Sequence, residues 1–282
     1  MHILTFDIEE WFHLLDFDAT RTEAEWDRYE VRIYNNVERI FSLLEDTDTK
    51  ATFFIIGWIA KRYPDLVRKI AARYQVGTHT MNHQLVWQQS PREFREDVAS
   101  SIALLEDITG QKVTCFRAPG FSIRKSESWA FETLADLGIE YDCSVFPAMH
   151  AHGGMPEYGV AEPAIIRCGD RTIKEFPVST TQLFGRDVIF SGGGYFRLMP
   201  YSLIKQWTAQ SPDYLMAYIH PRDLDGGQPV LEGLPLTRRF KSYVGVKRAG
   251  AKLQRYLRDF KFVDIASADA MTDWSMVKEI KL

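Results

Sequence analysis

Five short clusters in this chain carry side chains able to do chemistry. Asp7, Glu9 and Glu10 stand together, interrupted only by Ile8; such carboxylates take a proton from water or bind a hard cation. His79 and His83 are four residues apart, a spacing at which both imidazoles reach one cation from the same side of a turn. Arg117 precedes Ala118, Pro119 and Gly120, and a guanidinium suits a two-pronged grip on a carboxylate. Asp142 lies in Tyr-Asp-Cys-Ser, and His220 lies just before Pro221. A histidine so placed can protonate a leaving group, with an aspartate to orient it. Taken singly, each cluster has an ordinary explanation: an acidic turn, a structural salt bridge, a satisfied core histidine. Taken together they do not, because each follows an apolar run.

Those runs are the elements that must position the clusters. Residues 3–6, 51–57, 76–80, 113–116, 139–145, 214–219 and 260–265 read as strands, the second an unbroken apolar stretch suited to burial on both faces. Helices fill the intervals. Val37, Ile40, Phe41 and Leu44 share one helical face, and a basic amphipathic helix runs to about residue 74 with Pro64 near its start. Ser90, Pro91 and Glu93 form a helix start that Phe94, Val98, Ile102 and Leu105 continue and Gly110 closes. A further helix spans 126–137, and Val246, Ala249, Leu253 and Leu257 mark a last one. Residues 146–200 are rich in Gly, Pro and His, and 221–235 read as a turn-rich loop. Strands alternating with helices predict a parallel α/β sheet or barrel, in which active groups sit at the C-terminal strand ends.

Composition bounds the alternatives. The chain has 282 residues, 45% hydrophobic and 26% charged, which excludes a disordered, collagen-like or disulfide-stapled protein. A net charge of −4 gives no global attraction to nucleic acid. The charge is uneven, however: residues 238–261 hold nine Lys or Arg against one Asp, a local +8 that leaves −12 elsewhere. This basic stretch lies along the last amphipathic helix and offers a peripheral contact with anionic lipid or a sugar diphosphate. Three cysteines, Cys115, Cys143 and Cys168, suit a reducing compartment. No charged region and cleavable apolar stretch opens the sequence and no window spans a bilayer, so a cytoplasmic location is expected. Aromatic residues reach 13% with seven Trp, serving either a large core or flat sugar ligands.

In this order the motifs resemble those of the NodB-homology polysaccharide deacetylases, carbohydrate esterase family 4. Thr5-Phe6-Asp7 resembles the family's first motif, except that Ile8-Glu9-Glu10 replaces its second Asp. His79, Thr80 and His83 match the histidine motif, Arg117 and Pro119 the Arg-x-Pro motif, and His220 the late histidine motif. The Asp-x-Glu variant, Gly192-Gly193-Gly194-Tyr195-Phe196-Arg197 and His220-Pro221-Arg222-Asp223-Leu224-Asp225 resemble the subgroup found with bacterial exopolysaccharide clusters. The resemblance implies an α/β fold, a distorted (β/α)7 barrel forming a single catalytic domain over 1–282, with 190–265 a C-terminal extension. It implies a divalent metal, Zn²⁺ first among Co²⁺, Ni²⁺, Mn²⁺ and Fe²⁺, held by His79, His83 and one carboxylate. Alternation along an extended chain puts Glu9 on the Asp7 face, so Glu9 is the expected ligand and Glu10 the alternative. Asp7 then acts as base, Arg117 orients it, His220 is the acid and Asp142 its partner. Trp11, Pro119 and Tyr195 are candidates for substrate contact, with Trp87 also near the histidines. The expected substrate is an N-acetylated sugar, as polymer, lipid-linked precursor or nucleotide sugar. A hydrolase of another C–N bond and a non-catalytic carbohydrate-binding relative are the competing readings.

Overall fold

Residues around Phe53 and Phe54 are apolar on both sides because the strand they form is buried on both faces. The computed structural model describes residues 1–15, 17–20, 22–149, 151–183 and 185–282. Its strands are β1 His2–Ile8, β2 Thr52–Ile55, β3 Gln75–Thr78, β4 Cys115–Phe116, β5 Tyr141–Asp142, β6 Ala164–Cys168, β7 Arg171–Glu175, β8 Thr180–Leu183, β9 Arg186–Ile189, β10 Leu215–Ile219 and β11 Lys278–Lys281. The main sheet runs β10-β1-β2-β3-β4-β5-β7-β6-β11. From β10 to β7 the pairing is parallel throughout. The antiparallel strand β6 and then β11 extend that edge, while β8 and β9 form a separate hairpin.

The parallel array agrees with the expected α/β architecture, but its ladder does not close. The seam between β7 and β10 is bridged by the segments flanking the hairpin. Ser179 Oγ accepts from the Met216 N–H at 2.8 Å, and Tyr214 donates to the Pro177 carbonyl at 2.6 Å. Ser191 Oγ donates to the Met216 carbonyl at 2.8 Å, and Gly192 pairs with Tyr218. A Cβ on Gly192 would lie 2.1 Å from the Tyr218 ring, so only glycine fits there. Hydroxyls thus do at the seam what strand pairing does elsewhere, leaving the C-terminal ends open above it.

Local sequence explains the helices. The long helix Pro91–Thr109 has Ser90 and Glu93 satisfying each other's N–H groups and Gly110 in the left-handed region at φ 67°. The expected helix to residue 74 is two, Gly57–Arg62 and Pro64–Ala71, because Pro64 has no N–H to continue the first and starts the second instead. Residues 260–265 are not a strand: Val263 alone bridges to Ile3, and the helix Ile265–Met271 begins at once. An additional helix, Leu236–Tyr243, precedes Val246–Asp259. Gly245 separates them at φ 72°, where a Cβ would lie 2.4 Å from the Arg197 carbonyl oxygen.

The loop after β10 is fastened by one buried carboxylate. Asp225 accepts from Arg32, from Arg39 Nη1 at 3.2 Å, from Asn36 at 3.3 Å and from the Gly227 N–H at 3.1 Å. Burial alone would raise its pKa, but the Arg32, Gly227 and Asn36 bonds outweigh it and hold the carboxyl at about 2. A carboxyl depressed on folding stabilises above its unfolded value of about 3.9 and loses that stability as pH falls towards the folded value. Urea unfolding between pH 4 and pH 2 should therefore show a loss of roughly 1–2 kcal/mol from this group, and Asp225→Asn should flatten that part of the profile.

Candidate active site

The clusters converge at the C-terminal ends of the parallel strands, on a cavity of about 810 Å³. Asp7 comes from the end of β1 and Glu9 from two residues on, so alternation carries both to the same face. His79 follows β3, Arg117 follows β4 and His220 follows β10. Asp7, Glu9, His79, His83 and His220 all line the cavity. A second cavity of about 910 Å³, bordered by residues 147–149 and 210–214, contains none of the predicted site residues.

Glu9 Oε1 lies 3.1 Å from His79 Nε2 and 2.9 Å from His83 Nε2. The other ring nitrogen of His79, Nδ1, is 2.7 Å from the Arg117 carbonyl. A carbonyl can only accept, so the neutral ring carries its proton on Nδ1 and turns the Nε2 lone pair toward Glu9. Two acceptors 3.1 Å apart repel unless a proton or cation lies between them. Burial alone would raise Glu9, yet His83 and His220 beside it hold its carboxyl well below the usual range. An ionised glutamate facing two imidazole nitrogens is a donor set of the kind that holds Zn²⁺.

Glu10 is turned away and does a different job. Its Oε1 accepts from the Arg32 N–H at 2.7 Å and the Ile33 N–H at 2.9 Å, and its Oε2 from the Trp11 N–H at 3.3 Å. It caps the helix Ile33–Glu45, whose own N-cap residue, Arg32, supplies no acceptor. Burial raises the Glu10 carboxyl to about 7 against the pull of these bonds.

The loop carrying the histidines is strained and clamped. Thr80 sits at φ 67° and His83 at φ 54°, the left-handed region that a β-branched threonine avoids. Asp97, from the helix Pro91–Thr109, accepts from the Met81 N–H at 2.7 Å and the Asn82 N–H at 3.2 Å. Thr80 Oγ1 accepts from the His83 N–H at 3.0 Å, and Ser101 donates to the Thr80 carbonyl at 3.2 Å.

Asp7 is gripped by Arg117, whose Nη1 donates to Asp7 Oδ1 and to Thr5 Oγ1, each at 2.7 Å. The other Asp7 oxygen is 3.7 Å from His220 Nε2. His220 does not take its orienting carboxylate from Asp142. Its Nδ1 donates to Asp223 Oδ2 at 3.0 Å, and Asp223 Oδ1 pairs with Arg197 Nε at 2.8 Å. Burial alone would lower the His220 pKa, but Glu9, Asp223 and Asp7 push it up to about 9. Asp142 is committed elsewhere: it accepts from Ser144 Oγ at 2.6 Å, and burial, with Asp142 beside it, pushes the Glu175 carboxyl well above its usual range. Ser144 Oγ in turn accepts from the Ala118 N–H at 2.7 Å, which fixes the turn after Arg117.

The expected substrate contacts divide. Tyr195 is 44% exposed and lines the cavity. Trp11 is buried, its indole donating to the Glu30 carbonyl at 2.8 Å, and Pro119 is buried in a tight turn; neither lines the cavity. Trp87 lies outside it too, donating to the His152 carbonyl with Arg124 over its ring. His13 lines the cavity without a motif to announce it; burial and the nearby His83 hold it neutral. These roles separate by experiment. Glu10→Ala should lower the melting temperature by about 2–6 °C through the lost cap and keep metal binding, whereas Glu9→Ala should abolish Zn²⁺ binding in a titration; the reverse pattern would exchange their roles.

Residues 14–141 match the family model described as polysaccharide deacetylase, and residues 143–270 match one described as a domain of unknown function, DUF3473. A peptidoglycan-N-acetylglucosamine deacetylase of Bacillus cereus is 28% identical over 96 residues, 33% of this chain and 35% of that protein. A chitooligosaccharide deacetylase of Azorhizobium caulinodans is 33% identical over 82 residues, 28% of this chain and 39% of that protein. The matches therefore span well under half the length of these curated relatives. Among solved structures, a Mycobacterium smegmatis protein proposed to be a polysaccharide deacetylase aligns over 100% of this chain and 92% of its own, with TM-score 0.66 at 18% identity. A 4-alpha-glucanotransferase of Thermococcus litoralis aligns over 100% of this chain and 41% of its own, with TM-score 0.61 at 11% identity. Two such names on one scaffold show that the fold alone does not set the reaction. The sequence match identifies residues 14–141 as a polysaccharide deacetylase domain.

Proposed function

We propose that this chain is a metal-dependent carbohydrate N-deacetylase that removes the acetyl group from an amino sugar of a bacterial cell-surface polysaccharide or its precursor. One observation carries the reading: the Glu9–His79–His83 donor set lies beside both an Arg117-held carboxylate and an Asp223-held imidazole. The relatives are named as deacetylases, one of peptidoglycan N-acetylglucosamine and one of chitooligosaccharide. Glu9, His79 and His83 would hold the cation, Zn²⁺ first. The chemistry such a cation supplies is Lewis acidity, which eases the ionisation of water and polarises an amide carbonyl.

The chain's own residues handle the protons. Asp7, its Oδ1 pinned by Arg117, takes a proton from the attacking water on Oδ2. Water oxygen bonds to the acetyl carbon and the C–N bond breaks. His220 Nε2 gives its proton to the departing amine, with Asp223 keeping the ring's Nδ1 side fixed. The products are acetate and a free amino sugar. Tyr195 offers a ring face for a pyranose at the cavity mouth.

The Asp7-x-Glu9 variant and the 192–197 and 220–225 segments support the exopolysaccharide-associated subgroup. Three buried, unpaired cysteines favour a reducing compartment, and with it a lipid-linked or nucleotide-linked precursor as substrate in the cytoplasm. The test is acetate release from a panel of N-acetylated sugars and oligosaccharides with and without Zn²⁺. Metal-dependent release is expected, with Asp7→Asn and His220→Ala each losing about 10²–10⁴-fold in kcat. Release of formate instead, or full activity in Asp7→Asn, would overturn the reading. Unimpaired sugar binding without turnover would identify a carbohydrate-binding relative.

A further inference from the structure

The mouth of the cavity carries an unusual rim. On the helix Leu236–Tyr243, Leu236 is 82% exposed and Phe240 is 58% exposed. They stand four residues apart and so project from one helical face. Leu198, on the adjoining helix Gly193–Leu198, is 46% exposed. With Tyr195 these side chains border one opening. A lone exposed leucine is ordinary, but several large apolar groups around one opening mark an interaction surface.

The rim is held rigidly. Arg197, buried, donates to the carbonyls of Lys241, Ser242 and Val244 at 2.9–3.0 Å. Through Arg197 the helix 236–243 is therefore joined to Asp223 and His220. The same helix is basic. Arg239 and Lys241 are exposed on it, and Lys247 and Arg248 open the helix that follows. None of these four is in an ion pair among the described residues. They belong to the 238–261 stretch with its local charge of +8.

We propose that this rim docks the chain on an anionic phospholipid surface, presenting the cavity mouth to the headgroups. Exposed Leu and Phe flanked by Arg and Lys on a short polar helix form the pattern of an interfacial helix, apolar groups at the acyl boundary and cations among phosphates. An acidic polysaccharide would answer the cations and leave the apolar side chains unmatched. No described helix is long and apolar enough to cross a membrane; the contact proposed is a peripheral one, through the rim. The docking is argued from the rim alone; its purpose, receiving a glycan on a lipid carrier, rests on the deacetylase reading.

The test is sedimentation of the full chain with vesicles of phosphatidylcholine, alone or mixed with phosphatidylglycerol, beside alginate as a soluble polyanion. Binding to the mixed vesicles is expected, weakened by salt. Two variants, Leu236→Asp/Phe240→Asp and Arg239→Glu/Lys241→Glu, should each lose at least about tenfold in partitioning while keeping the wild-type circular dichroism. If the apolar variant proves misfolded, the charge variant decides. Absence of vesicle binding, or binding that neither variant weakens, overturns the proposal. So does binding to alginate alone. Vesicle binding without acetate release from any glycan would keep this surface and sink the deacetylase reading; acetate release without vesicle binding would do the reverse.

Discussion

The structure turns on the buried guanidinium of Arg117. A charge with no access to solvent is tolerable only if its donors are met, and Arg117 meets them from several directions. It donates to Thr5 and Asp7 on β1, to the Cys143 carbonyl just after β5 and to the Met216 sulfur on β10. The Phe54 ring of β2 lies 4.4 Å from its Cζ, and its own carbonyl receives His79. One side chain thus sets the relative positions of the strand ends that carry the chemistry. Removing one partner of such a pair typically costs about 3–5 kcal/mol, so the grip on Asp7 and the integrity of the sheet centre are not separable.

Around that centre, the two matched halves of the chain contribute different parts. The segment 14–141 brings His79, His83 and Arg117, with Asp7 and Glu9 just before it in the chain; the segment 143–270 brings His220, Asp223 and Arg197. The histidine loop is strained, with Thr80 and His83 both in the left-handed region. Asp97 and Ser101 offset it through hydrogen bonds from a long, well-capped helix. The same division recurs at the rim, where Arg197 ties an exposed helix to the histidine's own anchor.

Much of this was legible in the sequence because it rests on local rules. Buried parallel strands read as unbroken apolar runs, as at Phe53 and Phe54, and Ser90, Glu93 and Gly110 mark their helix by chemistry that acts within a turn. Period-two alternation set Glu9, rather than Glu10, on the face of Asp7. What escaped the sequence depends on contacts across the chain. Asp142 and Asp223 are both acids near a strand end, and only the fold shows that Ser144 and Glu175 occupy the first while the second meets His220 Nδ1. Glu10 acts as a cap because Arg32, 22 residues on, arrives without an acceptor of its own. The helix 236–243 is only eight residues long, so Leu236 and Phe240 are too brief a pattern to separate it from the loop before it.

The central claim is that Glu9, His79 and His83 together form the site for a catalytic cation. Anomalous X-ray scattering from crystals of this protein grown with Zn²⁺ tests it most directly, with data on both sides of the zinc edge. The account predicts one strong peak within bonding distance of Glu9 Oε1, His79 Nε2 and His83 Nε2, on the cavity side facing Asp7 and His220. A peak bound through Glu10, or a zinc-saturated crystal with no peak between the two histidines, would contradict it.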